Sequence, residues 1–172
     1  MRMRIILLVM VVLTLLAAGC SQATEIKPPT IRYGEDKCAD CDMIISDERF
    51  AAAAIREINA GDYESLLFDD IGDLVRYMAQ HNDQKFVAAY VHDYDTKAWI
   101  EAEKAVYMDS DTLKTPMATG LAASSSQSGA EALAAQWNGK VIDWEAVKAQ
   151  GGALRHGGIG GMGGNNQPTP TK

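Results

Sequence analysis

The first twenty residues decide how much of this 172-residue chain can fold, and where. Arg2 and Arg4 precede an apolar stretch, 5–18, that only Thr14 interrupts. A short positive segment followed by a short apolar one reads as a secretory signal, and the stretch is short for spanning a bilayer. It closes on Leu16-Ala17-Ala18-Gly19-Cys20, where small residues suit cleavage before the cysteine. Losing 1–19 removes two arginines and moves the net charge from −7 to −9. What remains has the length of one compact domain, and a chain with 47% hydrophobic residues has material for a core. No later stretch is long and apolar enough to cross a membrane. The acidic balance argues against nucleic acid, because a phosphate-binding surface needs clustered Lys and Arg.

The run ending at Cys20 resembles the lipobox of bacterial lipoproteins, which makes Cys20 the expected lipidation site. The protein is then expected outside the cytoplasm, lipid-anchored to the bacterial cell membrane. Residues 20–32, with Pro28 and Pro29, read as a tether. With Cys20 consumed by lipid, only Cys38 and Cys41 remain, and two cysteines this close cannot staple a fold together.

The patterning predicts a small α+β fold. Residues 50–58 and 63–68 flank an Asn59-Ala60-Gly61-Asp62 turn and read as a hairpin. Asp69 or Asp70 caps a helix on which Ile71, Leu74, Val75 and Met78 fall at helical spacing, and 85–92 reads as a strand. That order is ββαβ. The second half offers short strands at 98–101, 105–108 and 119–123, a helix at 130–137, a strand at 140–142 and a last helix capped by Asp143. Only this order of elements suggests a repeat, with halves at about 33–95 and 96–149. Residues 150–172, rich in Gly, Asn, Gln and Pro, are expected to be a disordered tail.

Chemistry concentrates in Cys38-Ala39-Asp40-Cys41-Asp42-Met43, two thiols and a thioether within six residues. Soft sulfur donors suit Cu(I), which is satisfied by two or three of them; zinc wants four ligands, and no second pair stands nearby. Each residue also has a plainer reading. Met43 is either a ligand or a core residue, since methionine fills gaps. Cys38 and Cys41 are either metal ligands, a passive local disulfide or an exchange pair. Met117, after Pro116, is either a further ligand or core. His92 is either a ligand or a satisfied strand-end histidine, and His81 interacts with its helix C-terminus. His156 and Met162 sit in the tail. Asp69, Asp70 and Asp73 read as cap and first-turn charges.

Taken in order, these motifs resemble the NosL family, lipoprotein accessory factors of nitrous oxide reductase. The resemblance runs from Cys20 to Val147. It rests on the lipobox, Cys38-x-x-Cys41-x-Met43, Phe68-Asp69-Asp70-Ile71-Gly72-Asp73, Asp93 or Asp95 followed by Trp99-Ile100, Ala105-Val106-Tyr107 and Pro116-Met117. It departs at Asp42, where the family often has Gly, at 46–49, and at Ala118. The resemblance implies two small ββαβ units packed together, similar to the organomercurial lyase core. It implies a Cu(I) metallochaperone rather than an enzyme, with Cys41 and Met43 as copper ligands. It also implies a copper-receiving partner, such as a NosD-type periplasmic protein or nitrous oxide reductase. The competing readings are a thiol-disulfide reductase that uses Cys38 and Cys41 to maintain a client's copper ligands, and a structural lipoprotein without metal.

Overall fold

The computed structural model describes residues 26–151. Two antiparallel sheets and three helices make up this part of the chain. β1 (Ala52–Asn59) and β2 (Asp62–Phe68) pair from Ala52↔Phe68 to Asn59↔Asp62, and Gly61 closes the turn at φ +82°. That conformation is inexpensive only for glycine. α1 (Ile71–Gln80) starts at Asp70, whose carboxylate accepts the Gly72 N–H at 2.8 Å. Ile71, Leu74 and Val75 are its buried apolar face. It stops at His81, whose N–H and Nδ1 both face the Tyr77 carbonyl while its ring stacks on Tyr77 at 3.9 Å. β3 (Lys85–His92) then pairs with β1.

One expectation fails here. The strand read at 98–101 forms as β4 (Trp99–Glu101), but it joins the first sheet, pairing His92↔Trp99 and Tyr90↔Glu101, and does not open the second half. The sheet order is β2-β1-β3-β4. The physical reason is the short loop 93–98: the Asp93 N–H bonds the Ala98 carbonyl at 2.8 Å and folds the chain straight back along β3.

A single 3₁₀ turn (Ala102–Lys104) leads into β5 (Val106–Asp109), β6 (Leu121–Ser124), α2 (Gln127–Gln136), β7 (Lys140–Ile142) and α3 (Trp144–Gly151). The second sheet has the order β6-β5-β7, so β5, β6, α2 and β7 repeat the ββαβ order of the first unit. α3 extends through Gln150 and Gly151, where composition suggested the tail had begun. Gly151 abuts the Val75 carbonyl of α1 so closely that no side chain fits between them. The rest of the expected tail, with His156 and Met162, lies outside the described residues, as do the signal segment and Cys20.

One apolar cluster runs through both units, from Ile45, Phe68, Ile71 and Leu74 to Tyr107, Leu121, Trp144 and Val147. The seam between the sheets is also polar. Asp93 bridges in parallel to Ala123, and its Oδ2 accepts the Ser125 N–H at 2.7 Å. Among the described residues no helix is long and apolar enough to cross a membrane.

Candidate metal centre

The sulfur-bearing segment is a tight hairpin laid across the start of α1. Lys37 and Ile44 bridge in antiparallel fashion, the Cys38 N–H donates to the Met43 carbonyl at 2.8 Å, and the Asp42 N–H returns to the Cys38 carbonyl at 3.0 Å. Closing so small a loop puts Asp42 at φ +60°, the left-handed region. Glycine is at ease there, and Asp pays a modest penalty. The hairpin is fastened by the Ala39 N–H on the Leu67 carbonyl at 2.7 Å and by the fully buried Ile45.

This brings Cys38 Sγ, Cys41 Sγ and an Asp73 carboxylate oxygen within 4.8 Å of one another. Cys38 is buried and its thiol donates to Asp73 Oδ2 at 3.3 Å; Cys41 is half-buried, and both cysteines are free. Burial pushes both thiols up. Main-chain N–H groups of Asp69, Cys41 and Asp40 oppose that at Cys38, and that of Met43 does so at Cys41. The backbone therefore already points donors at sulfur, a cradle for thiolate once a cation replaces the protons.

Beneath the sulfurs lies a buried charge network. Asp73 is fully buried and its carboxyl is raised by that burial, with Arg76 and Cys38 acting against it. Arg76 is 2% exposed, and its Nη2 donates to Asp73 Oδ1 at 2.5 Å and to Asp40 in the spacer between the cysteines. Asp70 and Asp69 crowd the same helix start, and burial also raises Asp69. One guanidinium among several carboxylates leaves the pocket's field negative, which favours a cation.

Met43 is 52% exposed, as is Ile44, so it is not a core residue. Met117 is half-buried in the 115–119 loop, and its N–H donates to Asp70 Oδ2 at 3.1 Å. Thr119 also bonds Asp70, so the loop docks on the N-terminus of the helix that carries Asp73. His92 stands apart from the cluster. Its Nδ1 lies 2.9 Å from the Ala51 carbonyl and its Nε2 3.4 Å from the Tyr33 hydroxyl, and its ring packs on Trp99 at 3.7 Å. It is the satisfied strand-end histidine.

Asp73 is the member that sequence reasoning missed. It is indeed a first-turn acid of α1, but its face, shared with Arg76, is covered by the cysteine hairpin instead of water. The legible signal was Asp73 and Arg76 at i, i+3 opposite the apolar stripe, and that pattern alone reads as a solvated pair.

The family model described as NosL matches residues 30–151. The chain belongs to the NosL family. Among curated proteins it is 26% identical over 157 residues to the "Copper-binding lipoprotein NosL" of Stutzerimonas stutzeri, covering 82% of this chain and 80% of that one. Among solved structures it is similar to the copper chaperone NosL from Shewanella denitrificans, with a TM-score of 0.59, 18% identity, and coverage of 69% of this chain and 93% of that one. At that identity the structural likeness speaks for the shared α+β fold, and the NosL assignment rests on the family match.

Proposed function

We propose that this NosL-family chain is a membrane-anchored, extracytoplasmic Cu(I) metallochaperone. Residues 1–19 act as signal, Cys20 carries the lipid, 20–32 form the tether and 33–149 carry the metal-handling unit, in two halves that divide after β4. Cys41 and Met43 hold the ion, with Cys38 completing a sulfur set and Met117 the candidate further ligand. The observation that carries this reading is the convergence of two thiols on a hairpin whose next donor, Met43, is exposed. Soft donors select a soft ion, and Asp73, a hard oxygen, serves better as the hydrogen-bond partner of Cys38 than as a Cu(I) ligand.

An incomplete shell open to solvent suits cargo. A partner's Met, Cys or His enters beside Met43 before Cys41 lets go, so the ion is never free. The proposed receiver is a NosD-type periplasmic protein or nitrous oxide reductase, brought near by the lipid anchor. The role is binding and delivery, not catalysis. The reductase alternative needs an acidified thiol at a helix N-terminus, whereas both thiols here sit on a hairpin and are pushed up by burial.

An anaerobic Cu(I) competition titration tests the reading. One ion bound tightly, and weakened in both Cys41→Ser and Met43→Leu, is expected. Weak binding indifferent to Met43, together with a readily cycled Cys38–Cys41 disulfide, overturns it in favour of the reductase.

A further inference from the structure

Arg76 touches neither sulfur, yet it is the piece that joins the two halves of the metal centre. It is 2% exposed on α1. A single nitrogen, Nη2, donates both to Asp40, in the spacer of the cysteine hairpin, and to Asp73 Oδ1; the other Asp73 oxygen holds the Cys38 thiol. The side chains of Asp40 and Asp73 are 3% and 0% exposed, so the whole bridge is dry. Moving a guanidinium out of water is expensive, and an apolar side chain of similar volume is often as good or better for stability alone. Moreover, Arg76 Nε is buried without a hydrogen-bond partner, a further cost that the fold tolerates at this position.

The chemistry of the site supplies a reason. Two thiolates around one monovalent cation carry a net charge of about −1, placed over two buried carboxylates. A fixed positive charge beneath them offsets that repulsion when the ion is loaded, while its two hydrogen bonds hold the spacer and Asp73 in place when it is not. We propose that Arg76 is the positioning residue of the metal centre: it locks Asp40 and Asp73 so that Cys38 and Cys41 face one ion, and it compensates the charge of the loaded bis-thiolate site. This rests on the copper reading above.

The test uses the full chain in detergent, with Cu(I) alone as probe. Three quantities are read: affinity by competition, the thiolate-to-copper absorption band, and the melting temperature of the metal-free form. Arg76→Lys keeps the charge. Asp40→Asn combined with Arg76→Gln removes the charge and leaves a neutral pair able to hydrogen-bond. Outer-shell partners of metal ligands typically contribute about 10- to 100-fold in affinity. The double variant is expected to lose that much and to show a weakened band, and Arg76→Lys to recover most of the loss at an unchanged melting temperature relative to the double variant. Wild-type affinity in a folded double variant, or a loss in Arg76→Lys equal to that in the double variant, overturns the assignment. If the double variant does not fold, Arg76→Gln alone decides: a several-fold loss of affinity with a weakened band supports the assignment and wild-type affinity refutes it. A wild-type chain that binds no Cu(I) overturns the copper reading and, with it, this one. A wild-type chain that binds while the variants match it overturns only the role of Arg76.

Discussion

Asp93 offers a quantitative test of how the two units are held together. It is 4% exposed at the seam. Its Oδ1 accepts the N–H and the hydroxyl of Thr96, each at 2.9 Å, and its Oδ2 accepts the Ser125 N–H at 2.7 Å. Burial pushes the carboxyl up, but the donors of Thr96 and Ser125 outweigh it and bring it from 3.8 down to about 2. At about 1.4 kcal/mol per pH unit, that drop is worth about 2 kcal/mol of stability. The folded value is the depressed one, so the contribution is fully present above pH ~4 and is lost as pH falls through ~2. Asp93→Asn keeps the shape and removes the charge. Urea titrations of wild type and variant between pH 7 and pH 2 are expected to differ by about 2 kcal/mol at neutral pH, with the gap narrowing steadily below pH ~4. A variant as stable as wild type at pH 7, or a gap that does not change with pH, would refute the argument that charge-assisted bonds to Thr96 and Ser125 stabilise the Asp93 carboxylate at the seam.

Three further outcomes are expected. Asp42→Gly relieves the φ of +60° and loses only an exposed ion pair with Lys37, so it is expected to be neutral or stabilising by up to about 1 kcal/mol in thermal melts; Asp42→Val is expected to destabilise by about 1–2 kcal/mol. A methyl at Gly72 collides with the Thr119 side chain, so Gly72→Ala is expected to cost about 1–3 kcal/mol in chemical denaturation and to loosen the Met117 loop in hydrogen exchange. Burial lowers the His92 pKa, with the Ala51 carbonyl and Glu48 acting against it. The native state therefore disfavours the proton that the unfolded chain takes up below pH ~6.5, and His92→Gln is expected to flatten the stability lost on acidifying through that region while leaving Cu(I) affinity unchanged.

The ββαβ order of the first unit was legible from two apolar-rich runs around the Asn59–Asp62 turn and an apolar stripe on α1, and the second unit's helix and last strand from the break at Asn138-Gly139 before β7. Trp99–Glu101 was recognisable as a strand, but its partner was not, since pairing in a three-residue strand is decided by the loop before it. The sulfur-bearing residues stood out through chemistry alone. Asp73 and Arg76 did not, because helical periodicity reports which face is apolar and cannot tell a polar face in water from one covered by another loop. Setting aside the core reading of Met43 needed its exposure, and the satisfied reading of His92 needed its hydrogen-bond partners.

X-ray absorption at the copper edge, on the chain loaded anaerobically with one Cu(I), tests most directly whether sulfur on an open hairpin holds a soft ion. The predicted spectrum shows a low-coordinate shell of two or three sulfurs, losing one sulfur in Met43→Leu and one in Cys41→Ser. A shell dominated by oxygen or nitrogen, or one that neither substitution changes, contradicts it.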